Sequence, residues 1–590
     1  MRVARGYATT NQVAIGPAFL AVHTAAGDHC PVMTPDPEGE LVRLYEALAR
    51  SRDQLDHILL EVAGHAPQEQ LQILKTHVLL LKDKRWEDRP RTLIPDKGYS
   101  AEMAVRQTTL EIISRLQGSD DPYLKQRTID IEQVAGRILR NLGGEHGLDL
   151  TQIPEGAILV AHDLAPSEII RMQPGKVAGI ITDLGGPTSH MAIMARSMEI
   201  PALVGTENGT QTIQSGEIVV LDGRRDSAIA TPDPSTLRYF KREQQRERAE
   251  ERALTTLRDL PATTPDGVEI RLLANLELTR EVRRMAGYGV HEVGLYRTEY
   301  LYTDTTPPGE EEHYRAYEKL LRGCAPHPVT IRTVDLGTDK TAPILDIELE
   351  KNPALGFRGI RCCLAHRELF VPQLRALLRA STFGHLRILL PMITSASEVV
   401  ATRKLITAIA VELSEANIPH TEEVEVGAMI EVPSAALTCD HIARESDFLS
   451  IGTNDLVQYI MAADRTNEHV AYLTDPLHPA VLRTIREVVR RAGRHHVEVE
   501  VCGEMGGNPL YVPLLMGLGV TALSMSLPKI PHVKRVIRAV PVADARRLAT
   551  ALLRLNDSGR IRDRLERFCQ DHVPEAFTAP AALEISLHAQ

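Results

Sequence analysis

Eight short β-type runs, each followed by a stretch of helical pattern, occupy the chain beyond Thr264 and leave few folds open to it. They are VEIRLLANL near 268, HEVGLYRTE near 291, PVTIRTVDLG near 328, LRILLPM near 386, EVGAMIEV near 425, FLSIGTND near 448, VEVEVCGE near 497 and ALSMS near 522. Eight strand–helix units over roughly 310 residues predict a (β/α)8 barrel. Such a barrel assembles its site from the C-terminal ends of its strands. Arg297 and Glu299, Arg332 and Asp335, Glu431, Asn454 and Asp455, and Cys502 and Glu504 stand at or just after those ends, so they are expected to converge. Any one of them alone is more often just the start of a solvated loop, and convergence from different strands is what singles them out.

The chemistry of this set suits a small polyanion. Arg297, Arg332 and, in the loop AADRTNEH, Arg465 offer planar forks that clamp phosphate or carboxylate oxygens. Glu431 and Asp455 are hard oxygen donors on neighbouring strands, a pair that suits Mg²⁺ better than a softer metal; salt bridges to the arginines are the alternative reading. No histidine cluster points to zinc.

The first half of the chain reads differently. Alternating apolar residues around Val13, Ile15 and Phe19 predict a strand. From about Pro37 to Leu142 the period becomes helical, in four segments (ELVRLYEALARSRDQLDHILLEVAG, EQLQILKTHVLLLKDKRWEDR, AEMAVRQTTLEIISRL and YLKQRTIDIEQVAGRILRNLGG), which predicts an antiparallel bundle. Strands and turns return from Gly144 to Asp233. There the run AGIITDLGGPTSHMAIMARSMEIPALVG passes from a strand through a Gly185-Gly186-Pro187 turn into an amphipathic segment and sets His190 at a helix N-terminus. Unpaired N–H groups at a helix start suit a phosphoryl group, although a Ser/Thr cap followed by a surface histidine has the same spacing. Residues 235–260, densely charged and free of glycine, predict an exposed helix.

Composition narrows the class. A net charge of −11 argues against general nucleic-acid binding, and no run approaches the ~20 apolar residues of a membrane span. The seven cysteines form no C-x-x-C pair, which is the usage of reduced thiols in a cytoplasm.

GGPTSHMAIMARSMEIPALVG resembles the phosphohistidine signature of the enzymes that take phosphate from phosphoenolpyruvate. GLYRTEYLY, RTVDLGTDK, NPALGFRGIR, GAMIEVPSAAL, DFLSIGTNDLVQYIMAADRTNEHVAYLTDPLHPAVLRTI and VCGEMGGNP resemble, in order, the phosphoenolpyruvate-binding barrel of the Enzyme I branch of that family. The resemblance implies an α/β multidomain protein: a helical-bundle insert, a swivelling α/β phosphohistidine domain and a C-terminal (β/α)8 TIM barrel. Its expected boundaries are 1–30 with 144–233 for the phosphohistidine domain, 31–143 for the insert, 234–262 for a linker helix, 263–575 for the barrel and 576–590 for a tail. It implies His190 as phosphoryl acceptor, Arg297, Arg332, Asn454 and Arg465 on the substrate, with Arg358 and Lys340 as second contacts. It implies Glu431 and Asp455 on Mg²⁺, and Cys502 as the proton donor to the enolate, where a buried thiol otherwise reads as core.

The expected partner is the histidine-containing phosphocarrier HPr, docked on the helical insert, and the expected state is a cytoplasmic homodimer joined through the barrel, with no membrane insertion and no nucleic acid. The first step of sugar uptake is the expected role, and a nitrogen-related or other regulatory relay is the alternative; a missing sensory domain before residue 1 argues against the nitrogen branch. Nucleotide-dependent dikinases and synthases of the family carry a large ATP-binding domain, for which the first 145 or so residues offer no Gly-rich phosphate loop. A silent scaffold would be expected to lose His190 or the arginines, and all are present. Departures from the family pattern are Ile169 where a threonine is frequent, Pro187 where a basic residue is frequent, and Thr338 and Thr466 where glycine is frequent. Lys75, Lys82, Lys84 and Arg85 also stand where the insert tends to be more acidic.

Overall fold

Parallel strands covered on both faces are buried along most of their length, as Ala157–Ala161, Leu386–Leu390 and Phe448–Ile451 are. The computed structural model describes residues 1–21, 36–62, 68–117, 128–143, 153–164, 168–169, 172, 175–186, 189–198, 200–302, 307–337, 350–465, 467 and 469–577. They divide into two compact units, Met1–Ala249 and Glu250–Gln590.

In the first unit, β1 (Arg2–Arg5), β2 (Tyr7–Ala8), β3 (Val13–Ala21), β4 (Ala157–Ala161), β5 (Val177–Thr182), β6 (Ala202–Val204), β7 (Ile218–Asp222) and β8 (Ser227–Ala230) form one sheet in the order β1-β8-β7-β3-β4-β5-β6-β2. The N-terminal strand finds its partners across the bundle: β3 runs parallel to β4 and antiparallel to β7. Alternate residues of β4 face two separate cores, Ala157, Leu159 and Ala161 one and Ile158 and Val160 the other.

Between β3 and β4 lie α1 (Pro37–Val62), α2 (Gln68–Leu81), α3 (Arg85–Lys97), α4 (Ala101–Gln117) and α5 (Thr128–Leu142), around a core that includes Leu44, Leu55, Leu81, Trp86 and Ile138. The described residues thus hold five helices where periodicity predicts four. The expected second helix breaks at Lys82–Lys84, where the Asp83 carboxylate accepts from the Arg85 N–H at 2.9 Å and the Trp86 indole donates to the Leu80 carbonyl at 3.0 Å. Pro90 and Pro95 inside α3 hid its pattern, and Gly98, at φ 64°, ends it in the left-handed conformation. The charged segment after β8 is helical, as expected, over α7 (Pro234–Thr256), which follows α6 (His190–Ser197) in the chain.

The second unit contains all eight expected strands, β9 (Arg271–Leu276), β10 (Val293–Tyr296), β11 (Val329–Arg332), β12 (Leu386–Leu390), β13 (Glu425–Ile430), β14 (Phe448–Ile451), β15 (Glu498–Val501) and β16 (Ala522–Met525), in a closed parallel barrel. Its lumen is plugged by Leu295, Leu389, Met429, Phe448 and Cys502. Gly427 makes room for that plug, since a Cβ there would lie 2.4 Å from the Phe448 ring. No helix among the described residues is long and apolar enough to cross a membrane.

Candidate active site

The strand ends of the barrel bring most of the expected charged residues together above the apolar plug. Arg332, the last residue of β11, is nearly buried and reaches Glu299, three residues beyond β10, at 3.1 Å and Asp335 at 3.1 Å. Arg358 grips the same Asp335 with two parallel bonds of 3.0 and 2.7 Å, and its third nitrogen lies 3.7 Å from Asp455. Burial works to raise the Asp335 carboxyl, but the two guanidiniums outweigh it and hold it below the usual carboxylate range. Burial likewise opposes the charge on Arg332 and Arg358, and the surrounding carboxylates outweigh it and raise both. Arg332 Nε and Glu299 Oε2 are buried with no hydrogen-bond partner among the described residues. Leaving such atoms unpaired is costly, so their place in a cluster of charge marks where an added ligand would bond.

Glu431 follows β13 and is 1% exposed; it accepts one bond, from the Met392 N–H at 2.7 Å. Gly452 permits this packing, because a Cβ there would stand 2.6 Å from Glu431 Oε2. Burial, and then the neighbouring Asp455 and Asp335, push Glu431 up to about 8 against the pull of Arg332. Asp455 lies in the first turn of the helix Thr453–Met461. Two hard carboxylates crowded in this way, one of them driven toward its neutral form, are a donor pair whose repulsion a divalent cation would relieve, so the residues fit Mg²⁺. No cluster of three or more His, Cys, Asp or Glu with metal-binding placement occurs among the described residues; Mg²⁺ ordinarily takes one or two carboxylates and fills its other positions with substrate oxygens and water.

The other expected residues lie around this centre. Arg297 pairs with Glu277 at 2.8 Å and adds its charge to those that hold Asp335 ionised. Asn454 accepts from the Glu504 N–H at 3.0 Å, tying β14 to β15. Arg465 lines a cavity of about 630 Å³ with Asn454, Glu504, Lys529 and His532. Cys502 is buried at the end of β15, its thiol donating to the Ile451 carbonyl at 3.7 Å; burial pushes it up to about 11. Lys340, Thr338 and Thr466 lie outside the described residues.

Sequence reading passed over Glu277 and Tyr459. Glu277 stands directly after β9, so the strand-end rule applied to the first strand finds it. Tyr459 sits one helical turn beyond Asp455, and its hydroxyl meets Arg358 at 3.3 Å and the Ala354 carbonyl.

In the first unit, His190 is the first residue of α6. The Ser189 hydroxyl caps that helix by accepting from the Ala192 N–H at 3.3 Å, and Gly185, at φ 105°, makes the turn before it. Ile169 is fully buried in the core beneath α6 and has no hydroxyl to offer. Pro187 and Thr188 lie outside the described residues.

Family models match along the chain: "PEP-utilising enzyme, N-terminal" over residues 5–127, "PEP-utilising enzyme, mobile domain" over 153–226 and "PEP-utilising enzyme, PEP-binding domain" over 251–542. The phosphoenolpyruvate-protein phosphotransferase of Geobacillus stearothermophilus is 37% identical over 558 residues, 94% of this chain and 96% of that one. That of Cupriavidus necator is 39% identical over 546 residues, 90% of this chain and 93% of that one. A solution structure titled Enzyme I (nEIt) is 31% identical, covering 42% of this chain and 99% of its own, with a TM-score of 0.36.

Proposed function

Because the chain belongs to the PEP-utilising enzymes, among the phosphoenolpyruvate-protein phosphotransferases, we propose that it moves the phosphoryl group of phosphoenolpyruvate onto His190, releases pyruvate, and passes the group to a histidine of an HPr-like phosphocarrier. The observation that carries this reading is the barrel mouth, where Arg332 presents a buried, unpartnered Nε beside two crowded carboxylates. Arg332 and Arg358 grip phosphate and carboxylate oxygens, exchanging their present bonds to Asp335 and Glu299 for bonds to substrate. Arg297, Asn454 and Arg465, with Lys340, complete the grip from the surrounding strand ends. Glu431 and Asp455 hold Mg²⁺, which when bound neutralises charge on the transferring group.

His190 is the nucleophile. Its neutral imidazole attacks phosphorus in line, the P–O bond to the enolate breaks, and Cys502, which burial keeps as a thiol at neutral pH, gives its proton to the enolate carbon. The stable ketone that forms drives the step forward, and water returns the proton to sulfur. His190 then serves two partners in turn, the barrel and the carrier, through a swivel about α7 with the phosphohistidine domain as its moving part. The helical insert is the docking surface for the carrier, and a homodimer through the barrel belongs to the same reading, with sedimentation the measurement that checks it.

Incubation with labelled phosphoenolpyruvate and Mg²⁺, without nucleotide, tests it. An acid-labile, alkali-stable label that vanishes in His190→Ala is the expected result. A label that requires ATP or AMP, or one that survives in His190→Ala, overturns it. Transfer of the label to HPr rather than to a regulatory carrier distinguishes sugar uptake from a regulatory relay.

A further inference from the structure

A second histidine stands at the same rim of the first unit, and nothing in the mechanism above uses it. His162 follows β4 directly, its side chain is 62% exposed, and its Nδ1 lies 3.2 Å from Asp183 Oδ2. Asp183 follows β5, the neighbouring parallel strand, and is buried. Three other donors fix that carboxylate: the Thr206 hydroxyl at 3.1 Å and the Thr210 N–H at 3.0 Å on Oδ1, and the Thr210 hydroxyl on Oδ2. Burial works to raise it, but these bonds and the one to His162 outweigh burial and hold it ionised. A buried, fully bonded carboxylate beside one ring nitrogen sets the tautomer: Nδ1 carries the proton and donates it, and Nε2 turns outward with its lone pair or, once protonated, its own N–H.

The backbone ties this pair to His190. The Leu184 N–H donates to the His162 carbonyl at 3.0 Å, Leu184 leads into the Gly185-Gly186 turn, and the Ser189 N–H closes that turn on the Gly186 carbonyl at 3.0 Å, one residue before His190. His162 and the start of α6 therefore belong to one hydrogen-bonded rim at the C-terminal ends of β4 and β5.

We propose that His162, oriented by Asp183, assists phosphoryl transfer at His190, the Nε2–H of its imidazolium form donating a hydrogen bond to the oxygens of the incoming and bound phosphoryl group. This rests on the reading of His190 as the acceptor. The role requires no new bond to phosphorus, only a donor at Nε2 and a fixed ring. Its side chain is exposed, so replacement does not disturb a core, whereas Asp183, buried among four donors, is the poorer site to alter.

The test uses the full chain with labelled phosphoenolpyruvate and Mg²⁺, comparing wild type, His162→Ala, His162→Gln and His190→Ala. The expected result is that His162→Ala is phosphorylated to the same final extent but about tenfold more slowly, with KM for phosphoenolpyruvate unchanged because the barrel binds it. Free imidazole restores the rate of His162→Ala, an effect that lost stability would not produce, and His162→Gln, which keeps a donor, lies between. Wild-type rates in both His162 variants, or a slow His162→Ala that imidazole leaves slow, overturn the role of His162 while an unlabelled His190→Ala keeps the acceptor in place. A label persisting in His190→Ala overturns the acceptor reading, and this inference with it.

Discussion

The two ends of the barrel both hold clusters of buried charge, and they settle that charge in opposite ways. At the floor, where the strands begin, Arg271 pairs with Glu292 and Glu498, and Arg387 pairs with Glu500 at 2.9 Å and Glu425 at 3.2 Å while stacking 3.7 Å from the Phe448 ring centroid. Each floor arginine is engaged by at least two carboxylates, and Glu498 and Glu500 reach Arg271 and Arg387 from β15, a strand adjacent to neither. Both Glu500 oxygens are buried with no hydrogen-bond partner among the described residues, so its charge is met by the ion pair alone. At the mouth, Arg332 keeps an unpartnered Nε, Glu299 an unpartnered oxygen, and Glu431 and Asp455 crowd each other. The apolar plug, from Leu295 to Cys502, separates the two layers. The floor's arginines are taken up by ion pairs across the barrel while burial drives Glu500 toward its neutral form, whereas the mouth leaves a guanidinium donor open beside two crowded carboxylates, the kind of group an anionic ligand would engage.

The largest expected effect falls at the mouth. Arg332→Met is expected to lower kcat/KM for phosphoenolpyruvate by about 10³-fold, since a desolvated fork to phosphate is lost, with a smaller fall in thermal midpoint than Arg387→Met at the floor, because Arg358 still holds Asp335 while Glu299 loses its ion-pair partner. Steady-state kinetics beside a melting curve checks this. A melting loss as large as that of a floor variant would erase the distinction between the two layers.

The converse variant is Arg387→Met at the floor. Removing one partner of a buried pair leaves Glu500 uncompensated, at a cost of about 3–5 kcal/mol in stability. Denaturant unfolding measures that loss, and turnover per folded molecule, counted by burst labelling, is expected to stay within about twofold of wild type. A specific loss of turnover would make the floor part of the site.

Cys502 tests the boundary between plug and mouth, because it belongs to the apolar cluster and also ends a strand. In Cys502→Ala, phosphorylation of His190 is expected to persist while multiple turnover to pyruvate falls about 10²-fold, the usual range for a lost general acid. Unchanged turnover would return the residue to the core.

How much of this was legible depended on whether a signal was periodic or relational. The eight barrel strands were, because each is a short apolar run bounded by turns, and the mouth residues follow from where those runs end. The floor was not read, although Glu498 and Glu500 alternate in EVEV and Arg387 sits in LRILL: a charge inside a strand has meaning only once the register shows which strands oppose it. Helix α3 escaped because its two prolines break the helical signature, and its boundary depends on Asp83 and Trp86 contacts that spacing does not encode. The pair of His162 with Asp183 is likewise a product of strand pairing, 21 residues apart in sequence.

The finest difference between floor and mouth is in pH. Burial pushes Glu500 up to about 7 from 4.5, with Glu498 adding to the rise and Arg387 only partly offsetting it. Between those values the folded protein keeps a proton that the unfolded chain has released, so stability is fully present below about pH 4.5 and is lost as pH rises through about 7, by up to the order of 3 kcal/mol. Glu500→Gln holds the neutral form at every pH and removes that slope. Its advantage over wild type in thermal midpoint is therefore expected to grow from pH 5 to pH 8, by about 2–4 °C for each kcal/mol involved. The floor alone is altered, so KM for phosphoenolpyruvate in Glu500→Gln should follow wild type across the same range. Parallel melting curves for the two proteins would mean that Arg387 already holds Glu500 ionised, and the floor would then be an ordinary ion pair at all pH values.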